Sequence, residues 1–497
     1  MPTTPAIRIQ QVNDAPIRTD GDHVLYWMIA HRRRRANFGL QRAAELSREL
    51  GKPLVVLEAL RCGHRWASDR FHAFVLAGMA DNRADFADSG VTYHPYVESK
   101  PGAGKGLLLA LAERACAVVT DDFPCFFLPH MVASAGKQVG VRMEQVDSNG
   151  LLPMRVADKV FGRAFDFRRF LQKALPAHMG AADFPVGDPI AKGMVEAKPL
   201  PKRITDRWPA ASEALLAGDL SELAKLPIDH TVKPVATVPG GPKAGGAVLR
   251  RFLKEKLKGY GELRNHPDLD AASGLSPYLH FGHVGVHQVF AGLAAQEQWQ
   301  PSSFRAKADG QRGWFGMSEG GEAFAEELVV WRELGYNYCW QRDDYGDYES
   351  LPEWAKATLA EHATDPREHV YSLEELDRGR THDRLWNAAQ NQLREEGRIH
   401  NYLRMLWGKK VLQWTPSPKA AFDILVELNN RYALDGRNPN SYTGISWVLG
   451  RYDRPWAPKR DVFGVIRYMS SDNTVRKVKT KAYIERWSPA EPTLFPS

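Results

Sequence analysis

Between His23 and about Asp147 short apolar runs alternate with helical patterns, and few folds can accommodate that alternation. HVLYWMI reads as a strand and FGLQRAAELSREL as an amphipathic helix. Gly51-Lys52-Pro53 then turns the chain into LVVLEAL. VTYHPYV, CAVVTD and QVGVRMEQV are further candidate strands, with helices such as GLLLALAERA between them. Strands this apolar need cover on both faces. The pattern therefore predicts a doubly wound parallel sheet, with ligands beyond the carboxyl ends of its strands.

The pattern changes twice downstream. From about Asp183 to Gly246 the chain is rich in Pro, Gly and Lys (KPLPKRITDRWPAA, KPVATVPGGPKAGG), as in an interdomain connection. After it, periodicity near 3.6 dominates in AVLRRFLKEKLKGY, EAFAEELVVWRELGY and FDILVELNN. The expected organisation is an α/β domain over 1–182, a linker over 183–245 and an all-α domain over 246–497. A length of 497 residues suits two cores better than one.

Composition narrows the class. No apolar run reaches the ~18 residues of a membrane helix, and MPTTPAIRIQQ lacks the segments of a secretion signal. Cys62, Cys116, Cys125 and Cys339 form no CxxC pair, which argues against a disulfide framework, a zinc site or an iron–sulfur cluster. A cytoplasmic protein without metal is expected. The net charge of +7 and 14 tryptophans raise a polyanionic partner. Arg32–Arg35 reads as a solvated face, and KPGAGKG (100–106) as a plain loop, since it lacks the full phosphate-loop spacing.

The stretch Thr381–Trp447 concentrates the chemistry. Trp407 and Trp414 are two helical turns apart, roughly 10 Å along one face. Tryptophan spacing alone describes an aromatic core. Arg404, three residues before Trp407, needs an acceptor, and Asp435 in DGR offers one. Apolar walls with a few aimed polar groups suit a planar heteroaromatic cofactor. Upstream, SGLSPYL (273–279) places hydroxyls at a Pro-opened helix start, a routine cap that also suits phosphate. Glu327 and Trp331 stand at i and i+4 of one helical pattern.

HNYLRMLW (400–407), DGR (435–437), LWNAAQ, RMLWGKKVLQW, LNNRYALDGRNPN and FGVIRYM together resemble the photolyase/cryptochrome family, and within it the class II cyclobutane pyrimidine dimer photolyases. The likeness runs from about Ala244 to Trp487 and, more weakly, through the amino-terminal part. It implies FAD held by Tyr260, Ser273, Leu275, Ser276, Arg332, Asn387, Asn401, Arg404, Asn429, Asp435 and Gly436. Asn429 would lie near flavin N5, and Arg404 would pair with Asp435. Trp386, Trp407 and Trp414 would carry an electron from the surface to the flavin. Glu327 would meet the pyrimidine edge, with Trp331, Met405 and Trp447 around the flipped lesion and Arg454 on the DNA. Lys409-Lys410, Lys459-Arg460, Arg476-Lys477, Lys479 and Lys481 would extend a phosphate track with Arg454.

The implied activity is light-driven repair of cyclobutane dimers by electron transfer from photoexcited reduced FAD, in a monomer acting on UV-damaged DNA. The alternatives are a cryptochrome-like blue-light sensor and a photolyase for (6-4) photoproducts. In the family the amino-terminal domain can also hold an antenna chromophore, for which an 8-hydroxy-deazaflavin is the candidate type. AHRRRRANFGL replaces the polar sequence that follows its first strand, which argues against an antenna. Two further departures are Asn401, where class II has Gly, and GRYDRPW (450–456), which lacks the histidine of the class II segment.

Overall fold

The computed structural model describes residues 3–190 and 193–488. Six strands form one sheet: β1 (Ile9–Gln11), β2 (His23–Met28), β3 (Leu54–Leu60), β4 (Thr92–Val97), β5 (Ala115–Asp121) and β6 (Arg142–Val146). Their order is β1-β6-β5-β2-β3-β4, parallel throughout except for the antiparallel β1–β6 pair. Every residue of β2 and β5 is buried, as expected of central strands covered on both sides. Helices α1 (Phe38–Leu50), α2 (Asp69–Phe86), α3 (Leu107–Ala112) and α4 (Leu128–Gly136) supply that cover. Asn37 caps α1 by accepting from Leu40 N, and Gly51 ends it at φ 63°.

The run Arg32–Arg35 departs from a solvated face. Arg32 and Arg33 are buried: Arg32 pairs with Glu58 of β3 at 3.0 Å, and Arg33 donates to Gly282 O at 2.9 Å. The turn that delivers them is held by Asp121 at the end of β5, which accepts from the backbone N–H groups of Ile29, Ala30 and His31 at 2.7–2.9 Å. Buried guanidinium groups survive only with such partners. KPGAGKG is a loop whose Gly102 and Gly104 N–H groups donate to the Glu98 carboxylate.

The segment 193–241 carries only short helical turns, Lys202–Thr205, Glu213–Leu216 and Leu220–Leu223, and a longer helix, Pro242–Arg251, begins before the expected end of the linker at 245. Beyond it the chain is helical. The elements that matter for the site are α5 (Ser276–His280), α6 (Glu319–Ala325), α7 (Arg332–Gln341), α8 (Arg384–Glu396), α9 (Asn401–Trp414), α10 (Pro418–Tyr432) and α11 (Pro439–Val448). No helix among the described residues is long and apolar enough to cross a membrane.

The α/β and helical parts are joined through polar contacts. Glu333 of α7 accepts from Leu151 N and Leu152 N at 2.7 and 3.2 Å, and burial pushes its carboxyl up to about 7. Gly282, at φ 70°, lies so close to the sheet that an added Cβ would sit 2.0 Å from Ala30 O. A Gly282→Ala variant should therefore lose more than about 1 kcal/mol of stability, seen as a lower thermal midpoint. An unchanged midpoint would mean that this contact does not hold the two parts together.

Candidate functional site

Helices α8 and α9 form the aromatic centre. Trp386, Trp407 and Trp414 are all buried. Trp386 Nε1 donates to Trp407 O at 2.9 Å, and Trp407 Nε1 donates to Gln390 Oε1 at 3.0 Å. Both indole N–H groups thus have partners, which makes the cluster cheap to bury. The Trp386 and Trp414 rings meet edge to face at 5.6 Å. Trp414 continues into Tyr371 at 5.5 Å and His382 at 5.2 Å. His382 is exposed, and with Trp414 it lines a polar surface basin of about 890 Å³. A chain of rings therefore runs from Trp386, hydrogen-bonded to the backbone of Trp407, through Trp414 to solvent.

The first turn of α9 carries a second cluster. Arg404 pairs with Asp435 through contacts of 2.8 and 2.9 Å, and both stay partly exposed, at 30% and 15% of their side chains. Burial pushes the Asp435 carboxyl up, but the Arg404 guanidinium and the Ser276 hydroxyl together hold it below the ordinary carboxylate range. Ser276 of α5, Arg404 of α9 and the DGR turn thus converge. Asn429 at the end of α10 donates to Asn430 Oδ1 at 3.1 Å, which also accepts from Arg437 N. Gly436 is required there, because a Cβ would lie 2.8 Å from Asn429 O. Ser273 Oγ accepts from Leu275 N at 3.4 Å. Asn401 is exposed beside His400, whose two buried ring nitrogens have no partner. Tyr260 is packed edge-on between Phe252 and Phe324.

Two of the expected cofactor residues point elsewhere. The Asn387 carboxamide is engaged with Thr381, accepting from its N–H and hydroxyl and donating to its carbonyl. Arg332 donates to Asn149 O and, at 3.0 Å, to the Tyr336 hydroxyl, so it serves the junction with the α/β part.

Between α6 and α7 the helix opens into a π-helical turn over Glu326–Trp331, an irregularity common at functional sites. Glu327 on this turn forms an ion pair with Arg264. Trp331 carries the Arg168 guanidinium on its ring at 4.7 Å and meets Trp447 of α11 edge to face, 5.8 Å between centroids at 64°. The two indoles touch, and they do not stand apart as parallel plates. Met405 is half-buried on α9. Arg454 is exposed and lies over Trp456, itself 36% exposed, with Arg467 on the same ring. Lys459 and Arg460 are also exposed, whereas Lys409 and Lys410 are buried and leave the expected phosphate track. Position in LWGKK put both on helical faces that pack inward.

Sequence reading missed Arg264. Its only signal is the i+4 spacing from Tyr260, since GELRNH carries no other pattern. Beyond the carboxyl ends of the strands, where the alternation pattern places a ligand, lies a cavity of about 710 Å³. Trp27, Ile29, Leu57 and Phe123 are among its apolar lining, and Arg32, Glu98, Lys105 and Arg437 among its polar groups.

Comparison with protein-family models gives no match. Among individual proteins, the deoxyribodipyrimidine photo-lyase of Methanothermobacter thermautotrophicus is 33% identical over 97% of this chain and 98% of its own length. The one from Potorous tridactylus is 32% identical over 96% and 84%, and the one from Oryza sativa 33% identical over 93% and 87%. A solved class III photolyase from Agrobacterium tumefaciens shares the fold, with a TM-score of 0.69 at 17% identity over 94% of this chain and 86% of that one.

Proposed function

The chain belongs to the deoxyribodipyrimidine photo-lyases, and on that premise we propose that it splits cyclobutane pyrimidine dimers in DNA, in a light-driven reaction of the class II type. The observation that carries the reading is the Trp331–Trp447 pair beside the Glu327–Arg264 ion pair: two indole surfaces with a carboxylate and a guanidinium at hand. A dinucleotide leaving the duplex loses stacking and pairing, and such a site returns both. The Glu327 carboxylate accepts a pyrimidine ring N–H, and Arg264 offers donors to a carbonyl. Met405 gives a soft apolar wall. Arg454, Lys459, Arg460 and Arg467 are exposed and would take DNA phosphates.

The residues also fit FAD. Arg404, Asp435 and Ser276 converge in one partly exposed cluster, and the unpartnered His400 nitrogens beside Asn401 leave polar capacity unfilled. FAD would be held by Tyr260, Ser273, Leu275, Ser276, Asn401, Arg404, Asn429, Asp435 and Gly436, and when bound, reduced and excited by light it would supply the electron that opens the cyclobutane ring. The protein's part is to orient the lesion and keep water from the reacting atoms. Trp407, Trp386 and Trp414 form the route by which an external electron reaches the site. The cavity at the sheet's carboxyl edge has the size and apolar lining for a planar antenna chromophore.

Trp447→Ala should lose one stacking surface, ~1–3 kcal/mol or roughly 5- to 150-fold in affinity for dimer-containing DNA. Glu327→Gln should leave that affinity largely intact and lower repair per photon. Filter binding with damaged and undamaged oligonucleotides, followed by single-turnover illumination, checks both. Equal wild-type affinity for the two DNAs, without dimer loss under light, would favour a sensor. Selective loss of (6-4) photoproducts would reassign the substrate.

A further inference from the structure

Lys409 is wholly buried, and no carboxylate among the described residues lies within ion-pair distance of its ammonium. Its Nζ instead donates to Val448 O, the last carbonyl of α11. That carbonyl follows Trp447 directly, and helix ends leave such carbonyls without intrahelical partners. The contact is reinforced one residue earlier. At Gly408, α9 and α11 approach so closely that a Cβ would lie 2.4 Å from Val448 Cγ2. Gly408 permits the approach and Lys409 ties it off.

We propose that Lys409 is a positioning residue for the lesion: its ammonium caps the carboxyl end of α11 and fixes Trp447 relative to α9, the helix that carries Met405 and Trp407. The inference rests on the reading of Trp447 as a lesion-stacking surface. A charged donor at a helix carboxyl end is favoured twice, by the charge-assisted hydrogen bond and by the helix dipole. Without it, Val448 O is buried and unpaired, and the final turn of α11 is free to shift together with its indole. The next turn is already unusual, with Gly450 at φ 111° and Tyr452, which packs on Trp447 at 5.7 Å, at φ 64°. Tyr452 thus packs on the Trp447 ring itself, while Lys409 holds the carbonyl of the residue that follows it.

The amine also titrates in a useful range. Burial pushes Lys409 down to about 7, with Asp453 raising it and Arg467 lowering it further. Below that pH the ammonium grips Val448 O; above it a neutral amine makes a weaker bond. Lesion discrimination should therefore fall as pH rises through about 7. Fold stability has the opposite sign. The unfolded chain binds the proton up to its ordinary pKa near ~10.4, so this group makes the fold more stable with rising pH over the same interval. A lysine that merely supported the fold would give discrimination and stability the same trend.

The test measures the ratio of affinities for dimer-containing and undamaged DNA, on FAD-loaded protein, from pH 6 to 8.5. The wild-type ratio should drop across pH 7. Lys409→Met should lower it roughly 3- to 10-fold at pH 6 and remove the step near 7, leaving affinity for undamaged DNA unchanged. That variant isolates the amine from Glu333 and Asp122, which burial also raises to about 7. A flat wild-type profile overturns the inference even if Lys409→Met fails to fold, and so does a Lys409→Met ratio equal to wild type. Trp447→Ala separates the two levels. If it too leaves the ratio unchanged, Trp447 is not a lesion surface and the functional reading fails; if it lowers the ratio and Lys409→Met does not, only the positioning role fails.

Discussion

Replacing Trp386 by Phe should nearly abolish light-driven reduction of oxidised FAD, while repair by chemically reduced enzyme stays close to wild type. Trp386 lies between Trp407 and Trp414. Its indole touches Trp414 at 5.6 Å, and its N–H reaches the backbone of Trp407. Phenylalanine keeps most of the packing but is far harder to oxidise than an indole, so a hole can no longer rest there. The fold should survive. One hydrogen bond of about 1 kcal/mol and a small cavity are lost from a well-filled core. The proposed repair would not use the route, because its electron would start and end in the site. The measurement is the fall of flavin absorbance under constant blue light with an external reductant, beside dimer loss from dithionite-reduced enzyme. Photoreduction at the wild-type rate would mean that electrons enter elsewhere. Failure of both reactions would point to damage at the cofactor site.

The sheet was legible because its strands are short, apolar and separated by helices of the right length; β2, β3, β4 and β5 lie within one residue of where HVLYWMI, LVVLEAL, VTYHPYV and CAVVTD place them. Strand β1 was not. IQQ has no apolar alternation, two of its three residues are exposed, and only pairing with β6 makes it a strand. Arg32 and Arg33 misled for a related reason. A run of four arginines looks solvated until Glu58 and Gly282, distant in sequence, are brought beside it. Tertiary partners decide such cases, and local composition does not contain them.

The site shows the same division. The Arg404–Asp435 pair was readable because a helical arginine demands an acceptor and DGR offers one. The π-turn at Glu326–Trp331 was hidden, since EELVVW has ordinary helical propensity and only packing opens the turn. It also changes which side chains share a face, so the i, i+4 relation of Glu327 and Trp331 is only approximate. Arg264 and Lys409 were missed in opposite ways. One pairs with Glu327 and has no motif around it. The other looks like a surface charge inside a motif and is buried to hold a backbone carbonyl.

Asp435→Ala should weaken FAD retention roughly 30- to 150-fold. Stripping the partner from a buried guanidinium typically costs about 3–5 kcal/mol, and Arg404 remains 30% exposed, so solvent reduces this to about 2–3 kcal/mol. The variant also removes an acceptor from Ser276, loosening the hydroxyl cluster that would meet the diphosphate. Wild-type retention should be indifferent to pH across the neutral range. The Asp435 carboxyl is held below the ordinary range, so the pair is intact above about pH 4 and is lost as pH falls through the lowered value. Acid release of FAD should thus begin only below about pH 4. The check is the flavin-to-protein ratio after gel filtration, together with titration of apoprotein with FAD followed by flavin fluorescence. Stoichiometric FAD in Asp435→Ala, at wild-type affinity, would remove the Arg404–Asp435 pair from the cofactor site and leave it as a tie between α9 and the turn after α10.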